Sequence, residues 1–277
     1  MEMVQAKLIV SCVAVSLMMC ACGPRMEWEK HVMDGHRTGV TAVAGDNPAP
    51  YLGTADSVYH APNGRTFECG VTPVVARRLL DAQPRMAYLK EVLAYAPEEM
   101  RVYPPESELG NWTVDAVMFA TESVTGRHID VGVMNIHGIR RSMPKGQILL
   151  DDILSMFPFN NHFCYVALKG EDLHYLLDVM AGRDYPEALG GVRFVIRGGK
   201  ACDITVGGKP LDESKVYGVA TIDFLLDGGD GIHVARNARE LIVSDVRIMD
   251  WMVPYIRTLG ASGEYVEYEK DGRVTIE

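Results

Sequence analysis

The chain has 277 residues, 48% of them hydrophobic and 23% charged, with a formal net charge of −10. That is the composition of an ordinary globular protein, long enough for one large domain or two small ones. The acidic balance excludes general attraction to nucleic acid or to an anionic membrane surface, so an anionic ligand must be held by local arginines, for which Arg140 and Arg141 are placed.

The N-terminus reads as a targeting segment. Lys7 precedes an apolar run, Leu8 to Met19, too short to span a bilayer as a helix. Met19-Cys20-Ala21-Cys22 follows, with a small residue before Cys22, as in a bacterial lipoprotein signal cleaved there and lipidated on the Cys22 sulfur. A plain secretory signal ending near Gly23 is the alternative. Residues 1–22 are thus expected to be a signal peptide, 23–70 a tether and irregular segment, and 71–277 the folded domain of a periplasm-facing cell-envelope lipoprotein. Of six cysteines, Cys69, Cys164 and Cys202 would remain after processing. They lack the CxxC spacing of a zinc site and leave room for one disulfide.

Asn47-Pro48-Ala49-Pro50, Gly53 and Pro62-Asn63-Gly64 are turn signals, so the stretch from Ala44 to Gly70 is predicted to be mostly irregular. Thr72 followed by Pro73 predicts a helix start, with Val74, Val75, Leu79 and Leu80 as its apolar stripe. Pro84 opens a second predicted helix, with Met86, Leu89, Leu93 and Tyr95 at helical spacing. A third is predicted from about Ser107 to Ser123, burying Leu109, Trp112, Ala116, Phe119 and Ala120. Ile129 to Met134 reads as a strand, Asp151 to Met156 as a short helix, Val166-Ala167-Leu168 as a strand and Glu171 to Met180 as a helix. Val192 to Ile196, Ile204 to Val206 and Val216 to Ile222 read as strands joined by the Gly198-Gly199 and Gly207-Gly208 turns. A last helix is predicted from Ser244, as N-cap, to Leu259, with Gly260 as its stop and Pro254 bending it. Helices and strands are partly segregated, which favours α+β over a doubly wound parallel sheet.

Three loops could carry binding chemistry. Val133-Met134-Asn135-Ile136-His137-Gly138-Ile139-Arg140-Arg141 follows a predicted strand. A guanidinium at Arg140 can bind phosphate bidentately, and Asn135, five residues earlier, can donate and accept. Met156-Phe157-Pro158-Phe159-Asn160-Asn161 and Phe224-Leu225-Leu226-Asp227-Gly228-Gly229-Asp230-Gly231 add two aromatic faces and a carboxylate. A base stacked on an aromatic face gains on the order of 1–3 kcal/mol. Asp230 could accept from two vicinal hydroxyls. Taken singly, each has a plainer use: a solvated arginine pair, core phenylalanines, a Gly-Asp-Gly turn.

Their order is more specific. Asn-x-x-Gly-Ile-Arg, then Pro-Phe, then Phe-Leu-x-x-Gly-Gly-Asp-Gly resembles the C-terminal domain of the 5′-nucleotidase family. Leu168-Lys169-Gly170-Glu171-Asp172-Leu173 resembles the strand-to-helix step of that domain, and Glu106-Ser107-Glu108-Leu109-Gly110-Asn111 with Asp115-Ala116 the element that opens it. The resemblance runs from roughly Ala96 to Asn237. It implies an α+β fold of mixed sheets with helices on the outside, and recognition of a purine nucleotide or nucleoside. By resemblance, Phe159 and Phe224 sandwich the base, Asp230 holds the ribose hydroxyls, and Arg140 and Asn135 reach the phosphate side. Gly190 and Gly191 match a glycine pair that approaches the base through backbone groups. The sequence departs from the family where an arginine often precedes the Glu-Ser element; here Pro104 and Pro105 stand, and Arg101 is nearest. Ile136 and His137 stand where small residues are common.

A complete member of that family also carries a metallophosphatase domain, in which two metals about 4 Å apart hold the phosphate and activate water. Its Asp-x-His and Gly-Asn-His-Asp/Glu ligand sets are not found. Asp34-Gly35-His36 lacks a preceding apolar strand, and Asn160-Asn161-His162 is followed by Phe163. His137, on the binding loop, is read as a hydrogen-bonding residue. The expectation is therefore the recognition half of a split 5′-nucleotidase, with no metal or cofactor of its own. A separate metallophosphatase chain supplies divalent metals and hydrolysis. The alternatives are a stand-alone nucleoside- or nucleotide-binding lipoprotein without catalysis and, more distantly, an interaction scaffold.

Overall fold

A computed structural model describes residues 53–55, 58–60, 65–183 and 185–277. Cys22, the rest of the predicted signal, most of the tether and the Asp34-Gly35-His36 triplet lie outside the described residues. The chain divides into a small unit ending at Val74 and a main unit that takes in Val75–Glu277.

In the small unit, strands β1 (Gly53–Ala55), β2 (Val58–His60) and β3 (Thr66–Phe67) form an antiparallel sheet in that order. This corrects the irregular segment predicted there: the turn residues fall between short strands. Tyr59 is buried and pairs in register with Phe67. Helix α1 (Val71–Ala82) begins one residue before the predicted cap. Its expected stripe is not its buried side. Val74, Val75 and Leu79 are exposed, whereas Ala76 is buried; the side chain of Leu80 lies outside those described.

The main unit opens with a 3-10 helix (Gln83–Lys90) and strand β4 (Val92–Ala96). The single helix predicted from Pro84 through Tyr95 is therefore wrong beyond Lys90. Apolar residues there suit either period, and pairing with β6 (Gly146–Leu149) decides for strand. Helix α2 (Glu108–Thr125) starts where predicted. The Ser107 hydroxyl caps it by accepting from the Gly110 N–H at 3.2 Å, and Gly126 ends it in the left-handed region at φ 65°. Leu109, Trp112, Ala116 and Ala120 are buried as expected, but Phe119 is 63% exposed. It stands at the rim of the stripe, edge-on to Trp251 at 5.8 Å.

Strand β5 (Val131–Met134), a 3-10 turn (Ile136–Gly138), β6, α3 (Leu150–Met156), β7 (His162–Lys169), α4 (Gly170–Ala181) and β8 (Ala188–Gly190) follow. Next come β9 (Val192–Arg197), β10 (Lys200–Val206), β11 (Lys209–Pro210), β12 (Val216–Ile222), β13 (Glu240–Arg247), α5 (Ile248–Ser262) and β14 (Val274–Ile276). The central sheet has the order β13-β7-β12-β5-β8. Only β5 and β12 run parallel in it; every other neighbour pair is antiparallel. Strand β7 is buried from Phe163 to Leu168 without alternation, as a central strand covered on both faces must be. Helix α4 buries Leu173, Leu176, Leu177 and Met180 and touches both β7 and β10. A second sheet, β11-β10-β9-β14, has β14 parallel to β9. This mixed α+β architecture is the expected fold class.

Two details differ from expectation. The Gly207-Gly208 turn joins β10 to the two-residue β11, not to β12, which belongs to the other sheet. Ser244 lies inside β13, not at a helix start, because residues 240–247 alternate half-buried and exposed as an edge strand does. The last helix then runs through Pro254 and through Gly260 to a stop at Gly263, φ 76°. Gly260 is not a terminator but a contact: a Cβ there would lie 2.0 Å from the Leu93 carbonyl oxygen of β4.

The motif that opens the domain turns out to be a clamp. Glu106 accepts from the N–H groups of Asp271, Gly272 and Arg273 at 2.8, 3.2 and 3.0 Å and from Asn111 Nδ2 at 2.7 Å. Arg273, only 7% exposed, makes a bidentate pair with Asp115 of α2, both bonds 2.7 Å, and donates to the Leu189 carbonyl of β8 at 3.0 Å. Tyr268 also bonds Asp115. Removing one member of a buried pair strands the other. Arg273→Ala should therefore lower stability by roughly 3 kcal/mol, read as a lower urea midpoint at constant m value. An unchanged midpoint would remove the clamp from the account of the fold.

Candidate functional site

The strand directions collect the predicted loops at one edge of the central sheet. Because β5 and β12 are parallel, both exit there, into Asn135 and Asp223–Phe224 respectively. Strands β7 and β8 run antiparallel to them, so both enter there, after the Phe159 loop and after Glu187. Strand β13, antiparallel to β7, ends there at Arg247, which reaches Asn160 Oδ1 at 3.4 Å. The next N–H, Ile248, donates to the Asn161 carbonyl at 2.9 Å and anchors the loop that follows Phe159.

Asn135 and Asp230 join two of these loops. Asn135 is buried, and its Nδ2 donates to Asp230 Oδ2 at 2.7 Å. Its Oδ1 is buried without a hydrogen-bond partner, an acceptor left over at the site. Asp230 itself adopts a left-handed backbone, φ 50°, inside the turn Gly229–Gly231. Gly229 permits that turn: a Cβ there would lie 2.0 Å from the Phe224 carbonyl oxygen. The glycines therefore press the Asp230 turn against the Phe224 turn.

Arg140 is held by its backbone, whose N–H donates to the Met156 carbonyl at 2.9 Å. Its side chain donates to the His137 carbonyl at 3.2 Å and lies over the Phe159 ring, 6.0 Å from the centroid. Phe159 and Phe224 are 46% and 45% exposed, each offering a face that solvent, or a flat ligand, must cover. Neither is the core residue that a lone phenylalanine usually is. Asn135, Arg140, Phe159, Phe224 and Asp230 thus share one edge. Gly190 and Gly191 do not join it. They lie two to three residues up β8, roughly 7–10 Å away at strand rise. Gly190 pairs with Gly132, and a Cβ on Gly191 would lie 2.1 Å from the Asp130 carbonyl oxygen, so close packing accounts for both glycines. Arg101 is exposed and paired with Glu99 at 2.7 Å, and Arg141 is exposed.

Three further residues shape the edge and were not evident in the sequence. Asp223 accepts from the Phe224 N–H at 2.8 Å through Oδ1 and faces His162 Nδ1 at 3.0 Å through Oδ2, fixing the turn that presents Phe224. Glu187 is buried, yet Oε2 accepts from the Ile136 N–H at 2.7 Å and Oε1 from Arg183 at 2.9 Å. Burial pushes its pKa above the usual glutamate range, against the opposing pull of those two donors. Neither Asp223 nor Glu187 sits in a recognisable motif, and the partners of both are distant in sequence. Among the described residues, no group of three or more His, Cys, Asp or Glu side chains could hold a metal ion. Cys69, Cys164 and Cys202 form no disulfide.

Comparison with known proteins places this edge in a family context. The family described as "5′-nucleotidase, C-terminal domain" matches residues 89–237. "Protein UshA" of Escherichia coli is 36% identical over 107 residues, covering 37% of this chain and 19% of that protein. A 5′-nucleotidase of Vibrio cholerae is 30% identical over 118 residues, covering 41% of this chain and 21% of that one. The crystal structure of a 5′-nucleotidase precursor from Thermus thermophilus superposes with a TM-score of 0.63 at 26% identity, over 78% of this chain and 45% of its own. The chain therefore spans about a fifth of the curated relatives it matches.

The Cys164 thiol is fully buried in β7, and burial, with the Asp223 carboxylate adding to it, pushes its pKa up to about 12. It should resist alkylation in the native protein at neutral pH, while the exposed Cys69 reacts, and should react only after unfolding. Mass mapping of the alkylated cysteines checks this; equal native labelling of both would contradict the packing of β7.

Proposed function

The chain belongs to the 5′-nucleotidase family through its C-terminal domain, and from that premise we propose that the loop edge of its central sheet recognises a purine nucleotide or nucleoside. The observation that carries this is the Asn135–Asp230 bond, set beside Arg140 and two half-exposed phenylalanines on one edge. The donor set matches the ligand piece by piece. Phe159 and Phe224 offer faces for the base. Asp230 has one carboxylate oxygen bonded to Asn135 and the other free to accept a ribose hydroxyl. Arg140, held only by a carbonyl and a ring face, can turn to phosphate without breaking an ion pair. In this reading Asn135 serves the site mainly by holding Asp230 and by presenting its spare acceptor.

Hydrolysis, in the same proposal, is supplied by a separate metallophosphatase chain in the cell envelope, which provides the divalent metals and the attacking water. This domain then sets substrate choice and orients the phosphate, a contribution made through positioning. Anchoring through lipid on Cys22 would keep the domain in the envelope with such a partner. The motif order, the family membership and the absence of a metal-holding cluster among the described residues support this division of labour.

Titration calorimetry with adenosine and AMP tests the reading. Phe224→Ala should weaken both ligands by about tenfold or more, the loss of one stack worth about 1–3 kcal/mol. Arg140→Ala should weaken AMP far more than adenosine. Unchanged affinity in the first variant, or equal losses in the second, would overturn the roles assigned here.

A further inference from the structure

Glu187 belongs to no motif, contributes no surface and costs the protein a buried charge. A buried ion pair is often no more stabilising than apolar residues of the same volume. Its presence is better explained by what it holds. Ile136 is the first residue after Asn135, and its N–H points at Glu187 Oε2, 2.7 Å away. The carboxylate therefore acts on the loop directly beside the Asn135–Asp230 bond. We infer that Glu187 is a positioning residue for ligand binding: it fixes the Asn135–Arg140 loop and, through Asn135, the carboxylate of Asp230. The inference rests on the nucleoside-binding reading of that edge.

The groups around Glu187 set how it works. Arg183, just past the end of α4, donates to Oε1 at 2.9 Å and stacks on Tyr185, 5.3 Å from its centroid. Tyr185 meets the His137 ring edge-on at 4.9 Å, so the segment 183–187 braces the loop at two points. From the opposite side, the Asp230 carboxylate opposes a charge on Glu187. Glu187 thus sits between a cation that holds its charge and an anion, tied to Asn135, that resists it.

Protonation has two opposed effects. The neutral acid is easier to bury, so acidification through the raised pKa does not cost the fold stability. It does replace a charge-assisted bond to Ile136 by a weaker neutral one. Loop order and global stability should therefore part company as pH falls. A residue that merely filled space would not separate them.

The test is adenosine affinity of wild type, E187Q and E187A between about pH 5 and pH 8, with thermal melts alongside. Adenosine is used because it carries no phosphate to titrate. Wild-type affinity should fall several-fold toward acid while the melting temperature holds. E187A should bind roughly fivefold or more weakly at every pH, having lost a charge-assisted bond. E187Q keeps an acceptor for Ile136 and should restore much of that affinity, with the acid-side loss flattened. Comparison with E187Q separates Glu187 from Asp230 and His137, which titrate nearby in both proteins. Wild-type affinity and pH profile in E187A would overturn the inference. Amide exchange at Ile136–Gly138 reads the brace without ligand. Loss of protection in E187A and its recovery in E187Q would support it even if adenosine failed to bind, a failure that would count against the nucleoside reading alone. Unchanged protection in E187A would overturn the brace.

Discussion

The parallel pairing of β5 and β12 is the constraint on which the rest of the molecule depends. In an otherwise antiparallel sheet, a single parallel pair sends two strands out through the same edge. Their antiparallel neighbours β7 and β8 must then enter from that edge. Loops that start far apart in the chain are delivered together as a consequence of hydrogen-bond direction alone. Asn135 and Asp230 lie 95 residues apart in sequence and meet at 2.7 Å. A fully antiparallel arrangement of the same strands would have placed those two loops at opposite ends.

Around that pair the fold supplies rigidity in layers. The Glu106–Asp115–Arg273 clamp ties the N-terminus of α2 to the C-terminal segment and, through the Leu189 carbonyl, to β8. Strand β8 begins one residue after Glu187, so the clamp also sets the carboxylate that holds the Ile136 N–H. On the other side, His162 and Asp223 hold the turn that carries Phe224. The motif letters that mark this family thus divide into two kinds. Glu106, Ser107 and Asp115 build the frame, and Asn135, Arg140, Phe159, Phe224 and Asp230 face outward from it.

Much of this was legible in the sequence, for identifiable reasons. Ser107 and Gly126 are strong local signals, and α2 begins and ends at them. The loops rich in glycine, asparagine and aromatic residues were recognisable because each follows or precedes an apolar strand. What was not legible depended on distant pairing. The segment Val92–Ala96 has apolar spacing that fits a helix, and only β6, fifty residues later, makes it a strand. Ser244 looks like a cap but lies in an edge strand whose alternation is weak because Leu241 and Val243 are exposed. Gly260 reads as a helix stop until the approach of β4 is known. Glu187 was invisible because its partner is a backbone N–H, which no residue letter reports. Gly190 and Gly191 matched a binding motif by letter, yet their surroundings explain them by packing.

The central claim is that one recognition site is assembled across β5 and β12 by the contact between Asn135 and Asp230. A double-mutant cycle on adenosine affinity tests it directly, using Asn135→Ala, Asp230→Ala and the double variant. If the two residues act as one unit, each single change should weaken binding, and the double change should cost little more than either alone. The coupling would be roughly 1–3 kcal/mol. Strictly additive losses, or wild-type affinity in both single variants, would contradict an assembled site at this edge.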